Sequence, residues 1–170
     1  MQIKRSFIKL LLSFLERFLN LHHYLRYKLY YNDFSIESER FFRGEGVKVY
    51  GGGFFSVGKG SYCGTNCGFA TVKGFKILIG DNVSISHNVR VYTSNRIPYD
   101  IISGSADVKK DEADVLIGNN VWIGANVIVL QGVTIGNNVV IGANSVVSKS
   151  LQSNSIYAGA PIKMLSNLSE

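Results

Sequence analysis

The sequence predicts an all-β chain wound as a parallel β-helix with one α-helix ahead of it, and three observations carry that expectation. Large aliphatic residues fall every six positions, at Ile117, Ile123, Val129, Ile135, Ile141 and Val147. A second apolar set follows each by four, at Val121, Val127, Val133 and Val139. The segment IGNNVWIGANVIV, from Ile117, returns as IGNNVVIGANSVV, from Ile135, with ten of thirteen positions identical and an offset of eighteen. Six residues make one short strand and a corner, and three such units make a triangular coil. An eighteen-residue echo then stacks coil on coil, about 4.8 Å apart. A helical period of 3.6 produces no such spacing.

In chain order, residues 1 to 31 have helical periodicity. Apolar residues at 7, 8, 11, 12, 14, 15, 18, 19, 21 and 25 form a wide stripe, opposite Lys9, Ser13, Glu16, Asn20 and His23. Charges at 9, 16, 17 and 26 leave no run long enough to span a bilayer, and no small-residue cleavage site follows. Two readings stay open: a helix packing on its own β-helix or a sister subunit, and an amphipathic helix lying in a membrane interface, helped by Lys4, Arg5 and Lys9. His22 and His23 read as solvated or interfacial residues. Residues 32–46 read as a linker of mixed charge, closing a first unit of residues 1–46; the second unit, residues 47–170, is the β-helix.

The β-helix begins irregularly from Val47. Val57, Cys63, Phe69 and Phe75 keep the six-residue step, and a slip of two resets it at Ile79, Ile85 and Val91. Residues 96–114 break the pattern with Pro98 and five acidic residues, so they read as a loop extruded from one corner. After Val147 the pattern decays into SIYAGAPIKML. Cys63 and Cys67, four apart, match the two inward positions of a hexapeptide and read as reduced core residues of a cytosolic protein.

The net charge of +6 is modest. A basic N-terminal segment accounts for it; attraction to a phosphate-bearing cofactor or an anionic membrane are the alternatives. The basic residues are scattered and no recognition motif appears, which speaks against nucleic acid.

With IGNNVWIGAN, GVTIG and AGAPIK in place, residues 47–165 resemble the hexapeptide-repeat O-acetyltransferases, among them galactoside, maltose, streptogramin and surface-polysaccharide enzymes. The resemblance implies a left-handed β-helix, a homotrimer with clefts between subunits, acetyl-CoA as acyl donor, no metal, and a sugar acceptor. By motif, Ala125 lies near the thioester and Ala143 is its equivalent eighteen residues on. Ser148 and Lys149 match a Thr-Lys pair that reaches the cofactor's far end, and Lys163 stands where the terminal motif is basic. Asn66 aligns with an acceptor-binding asparagine. Trp122 either floors the acceptor pocket or packs on the loop. The amphipathic N-terminal helix favours a lipid-linked or membrane-proximal acceptor, so surface glycan assembly on the cytoplasmic side is the expected setting.

Transfer to an alcohol needs a general base, and histidine suits this near neutral pH. The galactoside enzymes carry theirs where this chain has Asn95-Arg96, neither of them a usable base. His87 is the remaining histidine of the β-helix. It sits two past Ile85, as Ala125 sits two past Ile123 and Ala143 two past Ile141. If the loop absorbs about twenty residues, one coil separates His87 from Ala125 and all three share a corner; two coils plus a slip would move His87 away. A corner residue making turn hydrogen bonds is the competing role. No Gly-x-Ser-x-Gly elbow appears, so no acyl-enzyme is expected. A zinc-dependent carbonic anhydrase of this fold would need three histidines. A non-catalytic trimeric scaffold and an acetyltransferase for an antibiotic or amino sugar remain alternatives.

Overall fold

The computed structural model describes residues 5–168; Lys4, counted above in the basic flank, lies outside them. The chain divides into two compact units at Asp33 and Phe34. The first is a single helix, Arg5–Asp33. Its large apolar side chains, Phe7, Leu11, Phe14 and Phe18 among them, are exposed. Arg26 pairs with His22 at 2.7 Å, and the Lys28 ammonium sits 4.9 Å from the centre of the Tyr24 ring. No helix among the described residues is long and apolar enough to cross a membrane.

The second unit is a left-handed parallel β-helix of triangular section. Its first face stacks Ser35–Ile36, Phe54–Val57, Lys76–Ile79, Val115–Ile117 and Thr134–Ile135. The second stacks Tyr62–Cys63, Ser84–Ile85, Trp122–Ile123, Val139–Ile141 and Ser155–Ala158. The third stacks Lys48–Tyr50, Gly68–Ala70, Arg90–Tyr92, Ile128–Val129 and Val146–Val147. Lys163–Asn167 closes the second face by pairing antiparallel with Ser155–Ala158. Strands this short hold together because every inward residue lands on its equivalent one rung away. Cys63, Ile85, Ile123, Ile141 and Tyr157 form such a column, and all are buried. Asn66, Asn88, Asn126 and Asn144 turn one corner with φ of 58–59°, the left-handed region that asparagine tolerates.

Four local differences from the sequence reading have physical causes. Ser35–Ile36 pairs with Ser56–Val57, so the first coil begins inside the expected linker and the boundary moves from residue 46 to 33–34. Its polar composition masks one apolar anchor, Phe41, which is fully buried against Phe55 and Phe69 with ring centroids 5.8 and 5.7 Å away. Phe75 is not an inward rung residue. Val57 pairs with Ile79, and the extra residues of that coil turn a wide corner where the Phe75 carbonyl accepts from the Phe54 N–H at 3.0 Å. The extruded segment has structure of its own, a hairpin of Ser94–Arg96 against Lys110–Glu112 enclosing the short helix Pro98–Ile102. Finally, the ending adds a full rung rather than decaying, with Leu151 bridged to Ile135.

Cys63 and Cys67 are both buried free thiols. Cys63 Sγ donates to the Phe41 carbonyl at 3.3 Å and Cys67 Sγ to the Ser86 carbonyl at 3.0 Å. Hydrogen bonding with Cys67 and then burial push the Cys63 thiol well up from its ordinary value.

Candidate functional site

Two corners of the prism differ in how their backbone N–H groups are satisfied. Between the first and second faces, each turn donates one N–H to a side chain on the next coil. Lys59 N–H reaches Asp81 Oδ1 at 2.7 Å, Asp81 N–H reaches Asn119 Oδ1 at 2.8 Å, Asn119 N–H reaches Asn137 Oδ1 at 2.7 Å, and Asn137 N–H reaches Ser153 Oγ at 2.9 Å. A buried or crowded donor needs such an acceptor. Between the second and third faces the same column reads Thr65, His87, Ala125, Ala143, one coil apart at each step. Thr65 N–H is satisfied by His87 Nδ1 at 3.1 Å. Alanine over His87 and over Ala125, and Gly159 over Ala143, supply no side-chain acceptor, so the N–H groups of His87, Ala125 and Ala143 have no protein partner among the described residues. The corner therefore presents three backbone donors in a row, with no side chain longer than a methyl over the last two.

Glycine keeps this edge close-packed. A Cβ on Gly124 would lie 2.6 Å from the Ala143 nitrogen, and one on Gly64 would lie 2.8 Å from His87 Nδ1. The register also settles the spacing left open above. Ile123 pairs with Ile85, so the hairpin absorbs the extra residues and His87 stands one coil, about 4.8 Å, from Ala125.

The His87 ring meets Thr65 twice. Besides the backbone N–H, which can only donate, Thr65 Oγ1 lies 2.9 Å from Nδ1 and can donate or accept. When Nδ1 accepts, the neutral ring carries its proton on Nε2. When Nδ1–H donates to Oγ1, the Nε2 lone pair is free to take a proton. His87 is exposed and caps the turn below it as Asp81 or Asn119 do at the other corner, so the turn-bonding role is present in the structure. The threonine hydroxyl makes that role compatible with a base at Nε2.

His87 borders a cleft of about 360 Å³ on the second face, shared with Arg43, Tyr62, Thr65, Ser84 and Trp122. Along the outer column of that face Tyr62 pairs with Ser84 and Ser84 with Trp122, so two aromatic residues stand two strand spacings apart, about 9.5 Å, over a serine. Trp122 is 57% exposed, and the Arg43 guanidinium lies 5.0 Å from the Tyr62 ring centre. Sequence reasoning found Trp122 but missed Tyr62, which precedes Cys63 as Trp122 precedes Ile123. It also missed Thr65, at the same column position as His87.

The remaining candidates lie apart from this cleft. Asn66 lines a second cleft on the third-face side of the corner, and its carbonyl accepts from Arg90 Nη1. Ser148 and Lys149, both exposed, follow the third-face strand Val146–Val147 and so lie at the next corner round the coil. Lys163 pairs with Ala158 and so sits on the strand two spacings beyond Val139–Ile141 on the second face, and is exposed. There Gly159 N–H donates to Ser145 Oγ at 2.9 Å, which carries the same edge upward past Ala143. No three His, Cys, Asp or Glu side chains gather as metal ligands would among the described residues.

Residues 114–149 match the family model described as bacterial transferase hexapeptide (six repeats). The chain is 33% identical over 121 residues to the galactoside O-acetyltransferase of Escherichia coli, which covers 69% of this chain and 59% of that protein. Among solved structures it superposes on a maltose O-acetyltransferase from Clostridium difficile with a TM-score of 0.68 and 34% identity, over 81% of this chain and 70% of that one. A hexapeptide-repeat acetyltransferase from Vibrio cholerae, solved with acetyl coenzyme A, aligns over 100% of this chain and 93% of its own with a TM-score of 0.75 and 27% identity. The chain spans 49–59% of the length of the first three curated relatives it matches.

Proposed function

We propose that this chain, which belongs to the bacterial hexapeptide-repeat transferases, moves an acetyl group from acetyl-CoA to a hydroxyl of a sugar. The observation that carries the reading is the row of unpartnered N–H groups at His87, Ala125 and Ala143, which begins at an imidazole bordering an aromatic cleft. A pantetheine chain is a string of amide carbonyls ending in a thioester. It needs donors at intervals and no side chain in the way, which a capped corner cannot offer and this one does.

His87 Nε2 takes the acceptor's hydroxyl proton as the oxygen attacks the thioester carbonyl; the C–S bond breaks, and the proton passes on to the departing CoA sulfur. The Ala125 N–H stands where it can hold the carbonyl oxygen as negative charge develops. Thr65 Oγ1 accepts from Nδ1–H while the ring is charged. Tyr62 and Trp122 offer ring faces to a pyranose, with the Ser84 hydroxyl between them. Lys149, Ser148 and Lys163 receive the nucleotide phosphates as exposed charges and a donor, and Asn66 contacts the acceptor from across the corner. The protein works as a homotrimer whose neighbouring protomers complete the cleft. It acts on the cytoplasmic side of a membrane, where the apolar stripe of Arg5–Asp33 with Arg5, Lys9 and Arg17 suits an anionic lipid interface and a surface-polysaccharide precursor as acceptor.

The deciding experiment is an acceptor screen with radiolabelled acetyl-CoA. Label transferred to sugars supports the reading, label on amines or antibiotics alone moves the acceptor class, and failure to bind acetyl-CoA overturns it in favour of a scaffold. Sedimentation equilibrium tests the trimer. Retention on liposomes of anionic lipid, lost when residues 5–21 are made polar, tests the membrane contact.

A further inference from the structure

We propose that the third face carries an anion site, distinct from the cofactor trench, that receives a phosphate or diphosphate group on the acceptor. The inference rests on the acetyl-transfer reading for the word acceptor, and on the structure alone for the anion. Across the corner from His87 lies a second, larger cleft of about 750 Å³, lined by Lys48, Tyr50, Asn66, Asn88 and Arg90 around Gly68. Lys48 pairs with Gly68 and Gly68 with Arg90, so the Cα positions of the two basic residues stand two strand spacings apart, about 9.5 Å, on either side of a residue with no side chain. A Cβ on Gly68 would meet Arg90 Cδ at 3.1 Å and Nε at 3.4 Å, so the Arg90 side chain folds over position 68 toward the Lys48 strand, which it can do because that position is glycine.

Neither cation is in an ion pair with a described residue. The ion pairs among the described residues are Lys59 with Glu37 and Lys76 with Asp114, and no carboxylate lines this cleft. Arg90 spends Nη1 on the Asn66 and Val89 carbonyls, which fixes the guanidinium and leaves Nη2 and Nε without a protein partner. A held guanidinium and an ammonium lining one cleft, with the Asn66 and Asn88 amides and the Tyr50 phenol beside them, suit phosphate oxygens.

The position along the prism says which substrate bears the charge. Outward on the third face the column runs Lys48, Gly68, Arg90, Ile128, Val146, so cations occupy the early rungs and aliphatics the later ones. The alanine trench runs the other way, from His87 toward Ala143 and Lys163. A cofactor lying there sends its phosphates away from Lys48. What reaches both His87 and this cleft is the second substrate, a sugar with its hydroxyl at the imidazole and its phosphate ester over the corner. A diphosphate of this kind comes from a sugar nucleotide or from a lipid-linked sugar.

The test is calorimetric titration of the full chain with inorganic pyrophosphate at low ionic strength, with and without saturating coenzyme A. The expected result is binding that persists with coenzyme A present, weakens as salt rises, and falls at least about tenfold in Lys48→Gln and in Arg90→Gln. Because Arg90 also holds the Asn66 carbonyl, Lys48→Gln decides if the arginine variant unfolds. Parallel arms with dTDP and with phosphatidylcholine vesicles carrying a polyprenyl diphosphate assign the source, scored only by the part of the binding that Lys48→Gln removes. Displacement of pyrophosphate by coenzyme A, no binding, or binding unchanged in Lys48→Gln each overturns the proposal. Acetyl-CoA binding on the same sample is read separately. Its absence alongside Lys48-dependent pyrophosphate binding would sink the acetyl-transfer reading and leave the anion site standing.

Discussion

Replacing Thr65 with valine removes one oxygen and almost no volume, and it isolates the tautomer on which the proposed chemistry turns. In the wild-type corner Nδ1 of His87 has Thr65 Oγ1 at 2.9 Å and Thr65 N–H at 3.1 Å. Valine leaves only the N–H. The ring then holds its proton on Nε2, and freeing that lone pair sets Nδ1–H against a donor. A hydrogen bond to a group becoming charged is worth roughly 1.5–3 kcal/mol, and the exposed corner argues for the lower figure. That corresponds to a loss of about tenfold in kcat, since 1.36 kcal/mol is one decade. KM for acetyl-CoA should stay within about twofold, because Ala125 and Ala143 are untouched. Thr65→Ser restores the hydroxyl and should recover most of the rate. The assay is steady-state release of CoA thiol with a thiol reagent, using an acceptor from the screen. A valine variant with wild-type kcat, or a serine variant as slow as valine, would refute the assignment of Thr65 as the residue positioning His87.

Three further outcomes follow from the same corner. His87→Ala should lower kcat at least about a hundredfold with acetyl-CoA affinity nearly intact, measured by titration; near-normal turnover removes the base from the account. Gly124→Ala drives a methyl against the Ala143 backbone, 2.6 Å away, and with no flexible side chain to yield it should destabilise the fold by about 1–3 kcal/mol. Thermal unfolding reads that, and an unchanged midpoint would mean the edge is looser than its geometry. Trp122→Ala removes an exposed ring, so the midpoint should hold within a degree or two while the acceptor KM rises about tenfold; an unchanged KM would assign the indole to another role.

How much of this was legible depends on whether a feature is written in the repeat or in its interruptions. From Ile117 to Val147 the sequence dictates the coil outright, because like residues must stack on like and a slip of one would turn the whole valine and isoleucine set outward. The shared corner of His87, Ala125 and Ala143 was readable for the same reason once the loop's length was known. Where coils are widened the signal fails. Phe75 imitates an inward rung residue only because four extra residues make a broad turn before Lys76. The first rung at Ser35–Ile36 was hidden, since its surroundings are polar and its buried ring, Phe41, opens no sustained six-residue run with the aliphatics that follow.

The partners of the column were not legible because they are relations between coils rather than within them. Nothing in ISHNV announces that an imidazole will cap a threonine twenty-two residues earlier, since that follows from register alone. The same relation explains why one residue can serve two roles. At the opposite corner Asp81, Asn119 and Asn137 cap the coil below and are consumed by it. An amide spends its one accepting oxygen there, and a carboxylate keeps a second oxygen that is only a weak base at neutral pH. Imidazole has a second nitrogen on the far side of the ring, so capping through Nδ1 orients Nε2 instead of using it up. Of the side chains able to cap this turn, histidine is the one that leaves behind a base matched to neutral pH. An alanine above it then leaves its own N–H open to whatever the corner binds.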